Sequence, residues 1–138
     1  MSSADPYGRT DQLDESLLEV LVTRLEARGK HPLFERMLAE YLDAMQLETA
    51  QTVLDMGCGT GVASRALARR PGFTGKVQGV DFSPYLITVA TRLAAEQALD
   101  RRIDFRVADS RVYVRARRRT TANRSVAKLV SAGIAGWN

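Results

Sequence analysis

The run Val53-Leu54-Asp55-Met56-Gly57-Cys58-Gly59-Thr60-Gly61 holds the densest chemical information in the chain. Glycines at 57, 59 and 61 let a backbone turn sharply out of a strand and let a ligand approach with no side chain in the way. A helix that follows points its unpaired amides and positive end at the same spot. A nicotinamide-type fingerprint counted from Gly57 requires glycine or alanine where Val62 stands, which argues against the alternative of a nicotinamide-dependent oxidoreductase. Asp55, two positions before the first glycine, repels a phosphate and points to a ligand with a positive end. A second carboxylate, Asp81 in Gly79-Val80-Asp81-Phe82-Ser83-Pro84, follows the glycines by the roughly twenty residues at which an acid takes the two hydroxyls of a ribose. Asp109 follows in Val107-Ala108-Asp109-Ser110. Taken singly, each has a plainer role: a glycine cluster is a turn, Asp81 a helix cap, Asp109 a turn residue. Their joint order and spacing is what points to one nucleoside site.

The first stretch resembles motif I of the class I S-adenosylmethionine-dependent methyltransferases, whose ligand carries an ammonium group, a sulfonium and no phosphate. The resemblance implies that Asp55, Gly57 and Gly59 hold the methionine part of the cofactor while Cys58, Thr60 and Gly61 line the turn. It implies further that Asp81 takes the ribose hydroxyls with Phe82 against the adenine, and that Asp109 and Ser110 form the adenine-edge segment, Asp109 accepting from the exocyclic amine. It covers about residues 31–110 and is nearest to small-molecule methyltransferases of the ubiquinone and menaquinone type. His31-Pro32-Leu33-Phe34 and Tyr41 lie where that family places a helical cover, although their helical spacing is first of all that of packing residues. The implied activity is in-line methyl transfer from S-adenosylmethionine to a small molecule, with no catalytic acid or base assigned on the acceptor side. A non-catalytic fragment that binds the cofactor weakly or not at all is the alternative.

The elements that must position these residues follow from periodicity. Leu13, Leu17, Leu18, Leu21, Val22 and Leu25 predict a helix stopped at Gly29, and Pro32 opens a second that runs to about Gln46. Val53 and Leu54 belong to a buried strand, Val62 to Arg70 to a helix closed by Pro71-Gly72, and Lys76 to Asp81 to a second strand. Ser83 caps and Pro84 begins a helix to about Leu99, and Arg102 to Val107 forms a third strand. The expected fold is an α/β Rossmann-like three-layer sandwich with parallel strands in the order 3-2-1, two N-terminal helices, and a sheet incomplete beside the family's seven strands. The expected divisions are a flexible arm over 1–10, a helical cover over 11–48, the cofactor-binding half over 49–110 and an atypical basic tail over 111–138.

With 138 residues, 45% of them hydrophobic and 26% charged, the chain is one domain's worth of globular material. One cysteine and one histidine exclude an intramolecular disulfide and leave no basis for a multi-ligand metal centre. The net charge of +4 is uneven: Arg111, Arg115, Arg117, Arg118, Arg119, Arg124 and Lys128 face no acid, so the rest carries −3. That change of composition reads as a shifted reading frame or alternative end ahead of a phosphate-binding arm or a solvated extension, so a nucleic-acid partner is not expected. No fourth strand is recognised, so the first strand is expected to show a bare edge, and the chain to be marginally stable alone and open to self-association through that edge. No signal or spanning segment is recognised, and the expected location is cytoplasmic, without a membrane.

Overall fold

The computed structural model describes residues 13–109 and the backbone of 126–130. Helix α1, Glu15–Gly29, begins at Asp14, whose Oδ1 accepts the Leu17 N–H at 3.0 Å, and buries Leu18, Leu21 and Leu25. Helix α2, Pro32–Met45, is capped by the histidine the sequence singled out: His31 Nδ1 accepts the Leu33 N–H at 3.2 Å while Pro32 fills the first position. Gln46, left-handed at φ 50°, ends it and leads through a 3₁₀ turn, Leu47–Thr49, into strand β1, Thr52–Met56. Helix α3, Val62–Ala68, strand β2, Lys76–Asp81, helix α4, Pro84–Glu96, and strand β3, Ile103–Val107, follow. Ser83 caps α4 through Oγ, which accepts the Leu86 N–H at 3.2 Å. Among the described residues, no helix is long and apolar enough to cross a membrane.

The three strands are parallel in the expected order, with Val53 paired to Val77 and Val77 to Ile103. Two right-handed crossovers that step the same way put α3 and α4 on one face. There Val53, Val77 and Ile103 pack with Leu67 and Ala68 of α3, Ala94 of α4 and Leu38 and Leu42 of α2. Among the described residues, two of the three expected layers are therefore present.

One expectation is corrected. Residues Val126–Val130, whose apolar spacing reads as helical, form strand β4, parallel to β1 with Thr52 opposite Val126 and Met56 opposite Val130. The sheet order is β3-β2-β1-β4, so β1 is an interior strand and not a bare edge. Two physical facts explain the difference. Five residues, four of them apolar, have the length of a strand and are too few to fix a period, and the outer N–H and C=O groups of a buried β1 require partners. The stretch 110–125 also exceeds the dozen or so residues a parallel connection needs. Val112, Val114 and Ala116, whose alternation reads as a short strand, lie outside the described residues.

Leu67 is 1% exposed and at the centre of the core, whereas Leu33 is 67% exposed. Leu67→Ala should lower the unfolding free energy by about 2–5 kcal/mol. Leu33→Ala should change it by less than about 0.5 kcal/mol. Urea denaturation followed by circular dichroism measures both, and equal effects would contradict this core.

Candidate functional site

Parallel pairing brings the ends of β1, β2 and β3 side by side, with Met56 opposite Val80 and Asp81 opposite Val107. As the chain leaves β1 it stays fastened to β2: the Gly57 and Cys58 N–H groups both donate to Val80 O, at 2.9 and 3.0 Å. Gly57, Gly59 and Gly61 all take positive φ, at 68°, 55° and 84°. At Gly61 a side chain is excluded twice over, because an added Cβ would also lie 2.6 Å from Cζ of Phe105. Gly61 N–H then closes the turn on Cys58 O at 2.9 Å.

Asp81 joins this turn to the next strand. Its Oδ2 accepts the Gly59 N–H at 2.9 Å and its Oδ1 the Ser83 N–H at 3.0 Å. Its backbone carbonyl accepts the Ala108 N–H at 2.9 Å, which ties the residue before Asp109 to the same point. Asp55 and Asp81 both act through space on the Cys58 thiol, so their charges flank the one turn. Phe82 and Val107, large apolar residues at the ends of β2 and β3, remain 38% and 50% exposed.

The other residues singled out in the sequence take different places. Asp55 is fully buried, and its Oδ2 accepts the Ser64 hydroxyl at 2.5 Å, so the carboxylate is turned back under α3. Cys58 is buried, and burial first, then Asp55 and Asp81, pushes its thiol well above the ordinary range. Thr60 is 1% exposed and turns its hydroxyl away toward α1. Asp109 is partly buried just beyond β3, and Ser110 lies outside the described residues. Phe34 and Tyr41 of α2 pack against the core, as their spacing indicated. The helix that reaches the turn is α1, where Leu25 Cδ1 lies 3.5 Å from an added Gly59 Cβ.

Sequence reading missed Glu26 and Arg65. Glu26 Oε1 accepts the Thr60 hydroxyl at 2.7 Å and the Arg65 Nη2 at 2.5 Å, fastening α1 to the turn and to α3. A signal was present: Arg65 is the only charge in Val-Ala-Ser-Arg-Ala-Leu-Ala, a helix whose neighbours are otherwise small or apolar. Only a partner from another element reconciles a buried guanidinium with such surroundings.

Residues 47–112 match the model of a family described as a methyltransferase domain. Over 69 residues the chain is 39% identical to the 2-phytyl-1,4-naphtoquinone methyltransferase of Nostoc sp. (strain PCC 7120 / SAG 25.82 / UTEX 2576), covering 50% of this chain and 29% of that protein. Over 69 residues it is 36% identical to the trans-aconitate 2-methyltransferase of Pseudomonas paraeruginosa (strain DSM 24068 / PA7), covering 50% and 25%. Among solved structures, the [4+2]-cyclase SpnF superposes with a TM-score of 0.52 at 26% identity, over 59% of this chain and 30% of that one. The fold and the turn resemble those of the methyltransferase domains matched here. The chain is thus similar to methyltransferase domains through residues 47–112, and its match spans well under half the length of these curated relatives.

The raised thiol carries a pH consequence. A group whose folded pKa lies above its unfolded one stabilises the fold fully below the unfolded value, and that contribution is lost as pH rises toward the folded one. The stability difference between the parent chain and Cys58→Ala should therefore be flat below about pH 8.5 and fall above it. The slope should be about 1.4 kcal/mol per pH unit, measured by urea denaturation across pH 7–10. A difference that stays flat to pH 10 contradicts the buried, doubly faced thiol.

Proposed function

We propose that residues 49–110 bind S-adenosylmethionine and that the protein transfers its methyl group to a small-molecule acceptor. The observation that carries this reading is the state of Asp81. An ionised carboxylate offers about four lone-pair positions, and backbone N–H groups from Gly59 and Ser83 occupy one on each oxygen. One acceptor position per oxygen is left, which suits a vicinal diol. Both oxygens are already oriented by the backbone, so little ordering remains to be done on binding.

The remaining residues fit the rest of such a ligand. Phe82 and Val107 offer apolar surface beside Asp81 for an adenine, and Asp109, one residue past the tie to Asp81, is placed for its edge. The paired negative charges of Asp55 and Asp81 behind the turn favour a cationic amino-acid end over a phosphate. In this reading Asp55 acts by its field and by holding Ser64 of α3, not by touching the ligand. Helix α3 has seven residues, so its dipole adds less than these carboxylates.

The cofactor supplies an electrophilic methyl group on sulfonium, and the protein's part is to fix its orientation and keep the acceptor in line. Relatives named for acceptors as different as a naphthoquinone and trans-aconitate match this chain over 69 residues each. That supports a shared cofactor half, with acceptor choice made elsewhere in the protein.

Calorimetric titration of the purified chain with S-adenosylmethionine should give saturable one-site binding that NAD does not compete. Asp81→Ala should weaken it at least about a hundredfold, since two hydrogen bonds to a charged group are lost. A folded chain that takes up no cofactor would instead support the non-catalytic fragment, and competition by NAD the oxidoreductase.

A further inference from the structure

The turn that the cofactor reading depends on is intrinsically loose. Gly59 and Gly61 flank Thr60, so two of three consecutive residues lack a Cβ and carry the largest chain entropy. Thr60 is the one side chain by which the rest of the protein can grip this segment, and it is gripped on both sides. Its hydroxyl donates to Glu26 Oε1 at 2.7 Å, and its backbone carbonyl faces Arg65 Nη2 at 3.5 Å. The same Nη2 reaches Glu26 Oε1 at 2.5 Å, so one carboxylate oxygen gathers the turn, α1 and α3.

As a stabilising device this arrangement is poor. The Arg65 and Glu26 side chains are only 5% and 19% exposed, so both ions lose much of their hydration. Arg65 Nε is in addition buried without a hydrogen-bond partner, a cost that nothing in the pair offsets. Apolar side chains of similar volume at such positions are commonly as stable or more so. What they lack is direction: a methionine pair fills the space but fixes neither the hydroxyl nor the carbonyl of Thr60.

The geometry points to Glu26 and Arg65 as positioning residues that clamp Thr60 and hold the glycine turn in its ligand-ready shape. This inference rests on the cofactor reading for its purpose but not for its test. The clamp spends folding stability on rigidity, so that binding need not order the turn. It also makes α1 part of the site: Leu25, next to Glu26, is the residue that approaches Gly59.

Three variants and three readouts decide it. In Glu26→Met/Arg65→Met the urea midpoint should equal or exceed that of the parent chain. Amide hydrogen exchange at Gly59 and Gly61, measured without ligand, should be at least tenfold faster, and the calorimetric Kd for S-adenosylmethionine at least tenfold weaker. Thr60→Val, which removes only the hydroxyl, should speed exchange and weaken binding in the same direction. Thr60→Ser, which keeps it, should restore both. Unchanged exchange in the methionine double variant and in Thr60→Val overturns the clamp, and so does a Kd loss that Thr60→Ser fails to rescue. Should the double variant not fold, the valine and serine variants decide between the two outcomes by themselves. If the parent chain binds no cofactor while exchange still rises in Thr60→Val, the clamp stands and the cofactor reading falls.

Discussion

The hydrogen bond from Gly59 N–H to Asp81 Oδ2, 2.9 Å long, is the constraint on which the site depends. It joins the turn after β1 to the acid that ends β2, and without it the two halves of the proposed nucleoside site would be separate features of neighbouring strands. The bond exists only because the strands are parallel and in register, with Met56 opposite Val80. Register in turn is held by the core face, where a slip of one residue would turn Val53 and Val77 outward. The chain of cause thus runs from the alternating apolar residues to strand register, from register to the meeting of turn and carboxylate, and from that meeting to a site.

Two further elements act on the same turn. Phe105 of β3 fills the space that a side chain at Gly61 would need, while Asp55 is held to α3 by the Ser64 hydroxyl. Helix α1 arrives with Leu25 and Glu26, the second of which takes hold of Thr60. The glycine turn therefore combines a freely rotating backbone with surroundings that leave it one conformation. Such a combination is what a site needs if it is to approach a ligand closely without first having to be ordered by it. The [4+2]-cyclase SpnF shares this fold. It shows that the scaffold is not tied to one reaction, and that the assignment has to rest on the residues at the strand ends.

Most of the fold was legible because each local signal agreed with the next. The Ser83-Pro84 start of α4, the Pro32 start of α2 and the Lys76–Asp81 strand stand where the residues say they should. The places of Asp81, Phe82 and the three glycines at the strand ends were legible for the same reason: spacing along one strand-turn-helix unit is a local property. What escaped was non-local. The partnership of Glu26 and Arg65 spans 39 residues and two helices, and the isolated charge of Arg65 does not by itself name its partner. Strand β4 was hidden because five residues, Lys128 among them, carry no decisive period, and only the outer side of β1 shows what they are for. Burial is not written in the string either: Asp55 is enclosed and accepts the Ser64 hydroxyl, a contact that its place in the motif does not reveal.

A nucleoside cofactor can be held here only if the strand-end residues form one binding surface. An amide-resolved NMR titration with S-adenosylhomocysteine tests this most directly. The resonances of Gly57, Gly59, Asp81, Phe82 and Asp109 should shift together along one saturation curve, while those on the far side, such as Leu38 and Leu42, stay in place. Shifts confined to one strand end, or separate curves for the turn and for Asp81, would contradict a single site.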